Sequence, residues 1–375
     1  MEQNPIREQL GPRRALDYGS LDAWRGVACL AVVFFHCWLE MGLRVGRENR
    51  PTAFAWSQFG FLGVQIFFVI SGFCIAVAAH SSWHKRSWGK FVWARVTRIY
   101  PPLWGALLLV VVLKEIGGHL GATAVKDEGP SSGALFYLAN ISLLNPLLGQ
   151  SFLLRVAWSL CYEVAFYVIV FVALVASLRA KSANWMLNAL HILSLGILAW
   201  LVATFQGVPP PRFPLDLWPQ FGTGILVFDL LLARTQKEEK RERLLWAIGF
   251  GFATLGGVFL VRCGVSSFPV VRVHILPFSV SFGFAVLLWL AYRFEDSVSR
   301  WNFVKFLRSI GTFSYSIYLV HFTLIMALSR GLFSRVQFLP WFVEVAVQVV
   351  FSVGSGWIFY QVVEKPSQKL KRVRK

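Results

Sequence analysis

The sequence predicts an all-α protein, a polytopic transmembrane helical bundle of about ten spans with both termini in the cytosol, and three observations predict it. Hydrophobic residues make up 56% of the chain and charged residues only 15%, more apolar surface than a soluble core absorbs. The apolar residues recur in blocks close to the ~20 residues needed to cross a bilayer. Basic residues gather between alternate blocks, so the formal net charge of +18 reads as positive cytosolic loops. No recognition motif surrounds those clusters, and nucleic acid is not expected as a partner.

Spans are expected at about 22–41, 60–80, 99–116, 157–178, 188–206, 217–233, 244–262, 270–291, 311–328 and 341–362. Arg7, Arg13 and Arg14, the run from Lys85 to Arg98, Arg179 with Lys181, Arg234 to Arg243, Arg293 to Arg308 and Lys365 to Lys375 all fall on the N-terminal side. The positive-inside rule makes that side cytosolic. The chain, 1–375, is therefore expected to be a single membrane domain with short cytosolic tails at about 1–20 and 364–375. Its polar start carries no removable signal peptide, so the first span is its own insertion signal.

Between the spans, Arg44, Arg47 and Arg50 are expected in an outer loop, either simply solvated or meeting an anionic or sugar acceptor. Thr235 to Arg243 is expected as a charged cytosolic loop, and Pro101 and Pro102 as the start of the third span. The long outer loop, about 117–156, carries turn punctuation from Gly129 to Gly133. Its apolar stretch from Leu135 to Leu148 is too short to span comfortably and suits an interfacial or re-entrant segment. Asn140-Ile141-Ser142 is a glycosylation triplet of a kind that arises often by chance. The five cysteines, Cys29, Cys37, Cys74, Cys161 and Cys263, are odd in number and lack metal-ligand spacing, as free buried thiols do.

An ionisable side chain inside a span costs at least a few kcal/mol unless it has a partner, a wet cavity or a function. Three groups stand out. Leu21-Asp22-Ala23-Trp24-Arg25-Gly26 is followed on the same helix by Phe34-Phe35-His36, with Arg25 and His36 eleven positions apart. That spacing gives about 16 Å of rise and only about 20° of drift, placing both on one face. Histidine can cycle a proton near neutral pH and suits a general base, although an intramembrane histidine also serves as a hydrogen-bonding contact between helices.

The second group is Phe67-Phe68-Val69-Ile70-Ser71-Gly72-Phe73, then Arg95-Val96-Thr97-Arg98-Ile99-Tyr100-Pro101. Arg95 and Arg98 are three apart and can grip phosphates bidentately, while positive-inside anchoring explains them equally well. Ser71 is counted with them as a donor contact. In the third group, Trp158-Ser159-Leu160-Cys161-Tyr162-Glu163-Val164-Ala165-Phe166-Tyr167, Ser159, Glu163 and Tyr167 form one polar stripe at i, i+4 spacing. Glu163 can orient His36 as the third group of a triad does, bind an acceptor hydroxyl, or pair structurally with an arginine. Tyr315-Ser316-Ile317-Tyr318-Leu319-Val320-His321 adds Tyr318 and His321, read as acceptor-site or packing residues. His191, Asp229, Arg262, His274 and Glu344 carry no flanking motif and default to interhelical or snorkelling roles.

No Gly-rich phosphate loop, nucleophile elbow, His-Glu-x-x-His pair or Cys ligand set occurs, which removes support for metal and nucleotide-hydrolysis readings. Two other classes remain: a transporter or flippase for a glycan or lipid intermediate, and a non-catalytic scaffold. A repeat-built transporter is disfavoured because the two halves show no matching broken helices.

Together, the segment from Leu21 to His36, the Phe-Phe-Val-Ile-Ser-Gly run, Arg95-x-x-Arg98-x-Tyr-Pro, Trp-Ser-Leu-x-x-Glu-x-x-Phe-Tyr and Tyr-Ser-x-Tyr-Leu-x-His resemble, in order, acyltransferase family 3. The resemblance implies a ten-helix O-acyltransferase, above all an O-acetyltransferase, in the bacterial inner membrane. It implies acetyl-CoA or another acyl-CoA as donor substrate, no permanently bound cofactor, and a glycan or glycolipid acceptor such as polysaccharide or lipopolysaccharide, with membrane lipid around it. Arg25 and His36 match functionally essential positions, and Arg95 and Arg98 match the acyl-CoA site. Trp158, Ser159, Tyr318 and His321 are then expected on the acceptor side. An extra secreted domain, which some relatives carry, is not expected. Ala23 departs from the family's usual Gly, and the lack of a second acidic residue after Trp-Ser-Leu leaves Glu163 alone there.

Overall fold

The computed structural model describes residues 18–119, 133–264, 276–336 and 339–369. Every regular element among them is helical: α1 (Leu21–Val45), α2 (Gly63–His84), α3 (Trp88–His119), α4 (Ala134–Ser142), α5 (Trp158–Ala180), α6 (Ala183–Ala203), α7 (Trp218–Thr235), α8 (Glu239–Gly264), α9 (Leu276–Ala291), α10 (Asn302–Thr312), α11 (Ser314–Ala327) and α12 (Trp341–Phe359). A bilayer demands this form, because a helix satisfies its own backbone polar groups where water is absent. Nine helical segments among the described residues are long and apolar enough to cross a membrane. The remaining predicted span, 244–262, falls inside the 26-residue α8. A 3-10 run, Thr52–Leu62, leads into α2, and α11 and α12 continue as π-helical turns, Leu328–Phe333 and Tyr360–Glu364.

Three expectations need correction. The third helix starts at Trp88, well before 99, and Pro101 and Pro102 lie inside it; hydroxyls of Ser367 and Tyr315 engage backbone carbonyls just before them. Residues 239–243 belong to α8 rather than to a loop. Arg44 lies within α1 instead of an outer loop. The 135–148 stretch forms two short helices, α4 and Asn145–Leu148, neither long enough to span. Asn140 is 3% exposed, and its amide bonds the Phe136 and Ser151 carbonyls while its Oδ1 accepts from Leu153 N. The triplet asparagine therefore organises the loop. The described cysteines, Cys29, Cys37, Cys74 and Cys161, are free thiols. Arg7, Arg13, Arg14, Gly129 to Ser132, His274 and residues 370–375 lie outside the described residues, as do the side chains of Arg262 and Cys263.

The chain divides into two compact units, each assembled from three stretches of sequence. The first takes residues 18–21, Gln65–Val92 and Ala165–Trp301. Its centre is α7, buried from Trp218 to Ala233. Gly72 on α2 and Gly224 on α7 let the two backbones meet: a Cβ would sit 2.2 Å from Phe221 O at Gly72 and 2.0 Å from Val69 O at Gly224. Leu198, Leu226, Leu230, Leu245, Phe252 and Phe278 close its apolar core. Asp229, fully buried, is neutralised by Arg241, whose Nε and Nη2 donate at 2.9 and 2.5 Å, and it contacts His191 Nε2 at 2.9 Å. The interhelical default for His191 and Asp229 holds.

The second unit takes Asp22–Val64, Trp93–Val164 and residues 302–369. Here α11 is buried along almost its whole length. α1 meets α10 where both are stripped to glycine: a Cβ on Gly26 would lie 2.3 Å from Leu307 O, and one on Gly311 would lie 1.6 Å from Asp22 O.

Candidate active site

Of the ten residues singled out from sequence, nine fall in the second unit; Ser71, on α2, belongs to the first. The carrier of the site is α1. It is unbroken from Leu21 to Val45, so the register from Arg25 to His36 is kept, about 16 Å along one face. Arg25 stands one turn into the helix and its Nη1 donates to Asp22 Oδ1 at 2.6 Å. Asp22 also complements the positive N-terminal end of the helix dipole. The guanidinium is thereby aimed rather than left to wander on its long stem.

His36 sits among aromatic rings: Phe322 at 4.3 Å between centroids, His321 at 5.0 Å and Phe35 at 5.2 Å. Its Nδ1 is buried and has no hydrogen-bond partner among the described residues. His321 is wholly buried. Its Nδ1 lies 3.0 Å from Ile317 O and 2.9 Å from Tyr318 O. Two carbonyls can be satisfied only by an N–H, so Nδ1 carries the proton and Nε2 bears the lone pair. That Nε2 is also buried without a partner among the described residues.

Of the residues expected on the acceptor side, Ser159 and Tyr318 are joined directly. Tyr318 Oη donates to Val156 O at 3.1 Å and shares a 2.7 Å bond with Ser159 Oγ. This ties α11 to the start of α5. Glu163, one turn beyond Ser159, is half-buried and close enough to act electrostatically on Tyr318. Trp158 is 36% exposed and meets Tyr162 at 6.0 Å between ring centroids.

Arg95 and Arg98 are half-buried on α3, just before its prolines. Pro101 has no N–H for the carbonyl of Thr97, four residues back. Ser367 Oγ donates to that carbonyl at 3.4 Å, and Tyr315 Oη donates to Ile99 O at 3.0 Å. The turn carrying Arg98 is therefore pinned by α11 and by the short helix Lys365–Lys369 beyond α12. Nearby, buried Glu364 accepts from Ser316 Oγ at 2.6 Å and Gln368 Nε2 at 3.0 Å.

Sequence reasoning missed the ion pairs on the far half of α1. Glu40, 1% exposed, accepts from Arg330 Nε and Nη2 at 3.2 and 3.3 Å. Arg44 donates to Glu344, also 1% exposed, and Gln348 Nε2 bonds Ser329 Oγ at 2.8 Å. Arg50 does not simply point into solvent either; its guanidinium lies over the Trp38 ring at 4.7 Å. A signal was present: His36, Glu40 and Arg44 repeat every four residues, one ionisable group per turn on one face. Ending the first span at 41 hid it.

The sequence profile of the acyltransferase domain family matches residues 18–361. Peptidoglycan O-acetyltransferase OatA of Listeria monocytogenes is 25% identical over 374 residues, covering 93% of this chain and 56% of that protein. BcsY of Komagataeibacter xylinus, provisionally named a membrane-bound transacylase, is 26% identical over 334 residues, covering 84% of this chain and 75% of that protein. YrhL of Bacillus subtilis, provisionally named a peptidoglycan O-acetyltransferase, is 25% identical over 375 residues, covering 92% and 54%. The chain thus spans little more than half the length of OatA and YrhL. No solved structure matches the chain significantly. With a profile match running from Tyr18, ahead of α1, through α12, this multi-pass membrane chain belongs to the acyltransferase family that the match describes.

Proposed function

We propose that the chain is a membrane-embedded O-acyltransferase that moves an acetyl group from cytosolic acetyl-CoA to a hydroxyl of a cell-envelope glycan, in a bacterial inner membrane with both termini cytosolic. The observation that carries this reading is the half-buried His36, set about 16 Å from Arg25 along an unbroken helix and packed against His321 and Phe322 of α11. The peptidoglycan O-acetyltransferase name of a relative supports a glycan acceptor.

In this reading Arg25, Arg95 and Arg98 hold the phosphates of the donor. Arginine suits that task because its planar fork binds phosphate bidentately. The thioester end reaches His36. There the imidazole takes the proton of the glycan hydroxyl, the oxygen attacks the thioester carbonyl, and the departing thiolate regains the proton from the imidazolium. Holding both substrates in one cleft removes most of the entropic cost of their encounter. Trp158, Ser159 and Tyr318 shape the acceptor side, and Glu163 supports the developing charge through Tyr318.

The test compares envelope glycan by mass spectrometry from cells carrying the wild-type chain, His36→Ala, or no chain, with membrane insertion verified. Wild type should add an acetyl mass that His36→Ala lacks. Undiminished acetylation by His36→Ala would remove the base assignment. Glycan movement without coenzyme A release would replace the enzyme with a flippase.

A further inference from the structure

Resting on His36 as the base, we propose that His321 is a positioning residue: its Nε2 lone pair receives the Nδ1–H of His36, through one water or a small ring rotation, and so fixes the tautomer in which His36 Nε2 is free to take the acceptor proton.

The inference starts from unsatisfied atoms. His321 is held by the Ile317 and Tyr318 carbonyls, which commits its proton to Nδ1. Its Nε2 can then only accept. A buried acceptor without a donor is disfavoured, and buried polar groups are almost always paired. His36 Nδ1, in the neighbouring ring at a centroid distance of 5.0 Å, is likewise buried without a partner among the described residues. Of its two tautomers only the one with Nδ1 protonated supplies the donor that His321 Nε2 lacks, so a single bridge satisfies both atoms.

The consequence is chemical. With Nδ1 protonated, His36 presents a bare Nε2 to the hydroxyl, the same division of labour that a carboxylate imposes on the histidine of a hydrolytic triad. Here the orienting group is neutral, which avoids placing a lone carboxylate inside the membrane. His321 itself is enclosed: Tyr318 lies at 5.8 Å between centroids, and no part of the ring is exposed. Phe322 covers His36 from the side. His321 therefore acts through His36 and has no direct contact with the glycan.

The test uses the full chain in lipid nanodiscs with acetyl-CoA and envelope glycan prepared from cells lacking the chain, following thiol release. His321→Asn keeps an amide near Nδ1 but loses the acceptor at Nε2. It should lower kcat about 10–100-fold, less than the ~10²–10⁴-fold that general-base catalysis itself contributes because the base is kept, and leave both apparent KM values within about twofold. His321→Gln puts an amide oxygen near the Nε2 position and should recover most of kcat. If His321→Asn instead raises the glycan KM at unchanged kcat, His321 touches the acceptor and the proposal fails. It also fails if Gln is no better than Asn. Nitrogen-15 NMR of histidine-labelled wild type needs no variant to fold: the signal absent from His36→Ala should show an Nδ1–H tautomer, and an Nε2–H tautomer overturns the inference. Full activity of His36→Ala would instead overturn the base assignment on which the inference rests.

Discussion

Glu344 and Glu40 are each 1% exposed, and each is met by an arginine from another part of the second unit, Arg44 and Arg330. A buried pair gains little over an apolar pair of the same shape, but removing one partner strands the other charge at a cost of about 3–5 kcal/mol. Glu344→Ala should therefore lower the thermal midpoint in detergent markedly, and the double change Arg44→Met with Glu344→Met should recover most of it. An unchanged midpoint in Glu344→Ala would show that Arg44 reaches water without cost. These residues also mark what sequence can reveal. The Arg25-to-His36 register needs only the 3.6-residue period of one helix, and it is legible by counting. Glu40 and Arg330 are 290 positions apart, and no local pattern names the partner. Ser159 and Tyr318 were each visible within their own motifs, yet the bond between them is a product of packing.

At the scale of the helix, α1 and α10 are brought together by Gly26 and Gly311, where backbone meets backbone. The same crossing sets the turn that carries Asp22 and Arg25. Gly311→Ala would push a methyl into the Asp22 carbonyl, and overpacking of this kind costs about 1–3 kcal/mol. Gly354 on α12 is the control, since a Cβ there meets nothing within 4 Å. Gly354→Ala should be neutral or stabilising by up to about 1 kcal/mol from helix propensity. Thermal melts of the two variants side by side distinguish a crossing defect from a general effect of adding a methyl. Equal melting would mean that α10 can move away from α1 freely. The existence of the long apolar helices was legible because hydropathy reports it directly, whereas α10, in the basic stretch before the ninth predicted span, was not. Helix ends were less so: Pro101 and Pro102 look like a start, whereas Ser367 and Tyr315, hydroxyls from distant sequence, engage carbonyls at the break and allow α3 to continue.

For the whole molecule, neither unit is a continuous stretch of chain, which is why hydropathy and loop composition could not reveal the division. The arrangement has a testable consequence. All three stretches of the first unit precede residue 302, whereas the second unit needs residues 302–369 to complete it. A chain ending at Trp301 would keep the buried hydrogen-bonded cluster of His191, Asp229 and Arg241 and the α2–α7 glycine contact. It would lose Arg330 and Glu344, leaving Glu40 and Arg44 without those ion partners, and would lose α10, against which Gly26 packs. Local opening follows the loss of buried contacts. In detergent, limited proteolysis read by mass spectrometry should therefore cut the truncated chain first within 22–64, 93–119 and 133–164, while 65–92, 165–264 and 276–301 stay protected as in the full chain. Equal protection of both sets would mean that α1 keeps its place without α10 to α12; early cutting within 165–264 or 276–301 would mean that the first unit depends on the missing segment.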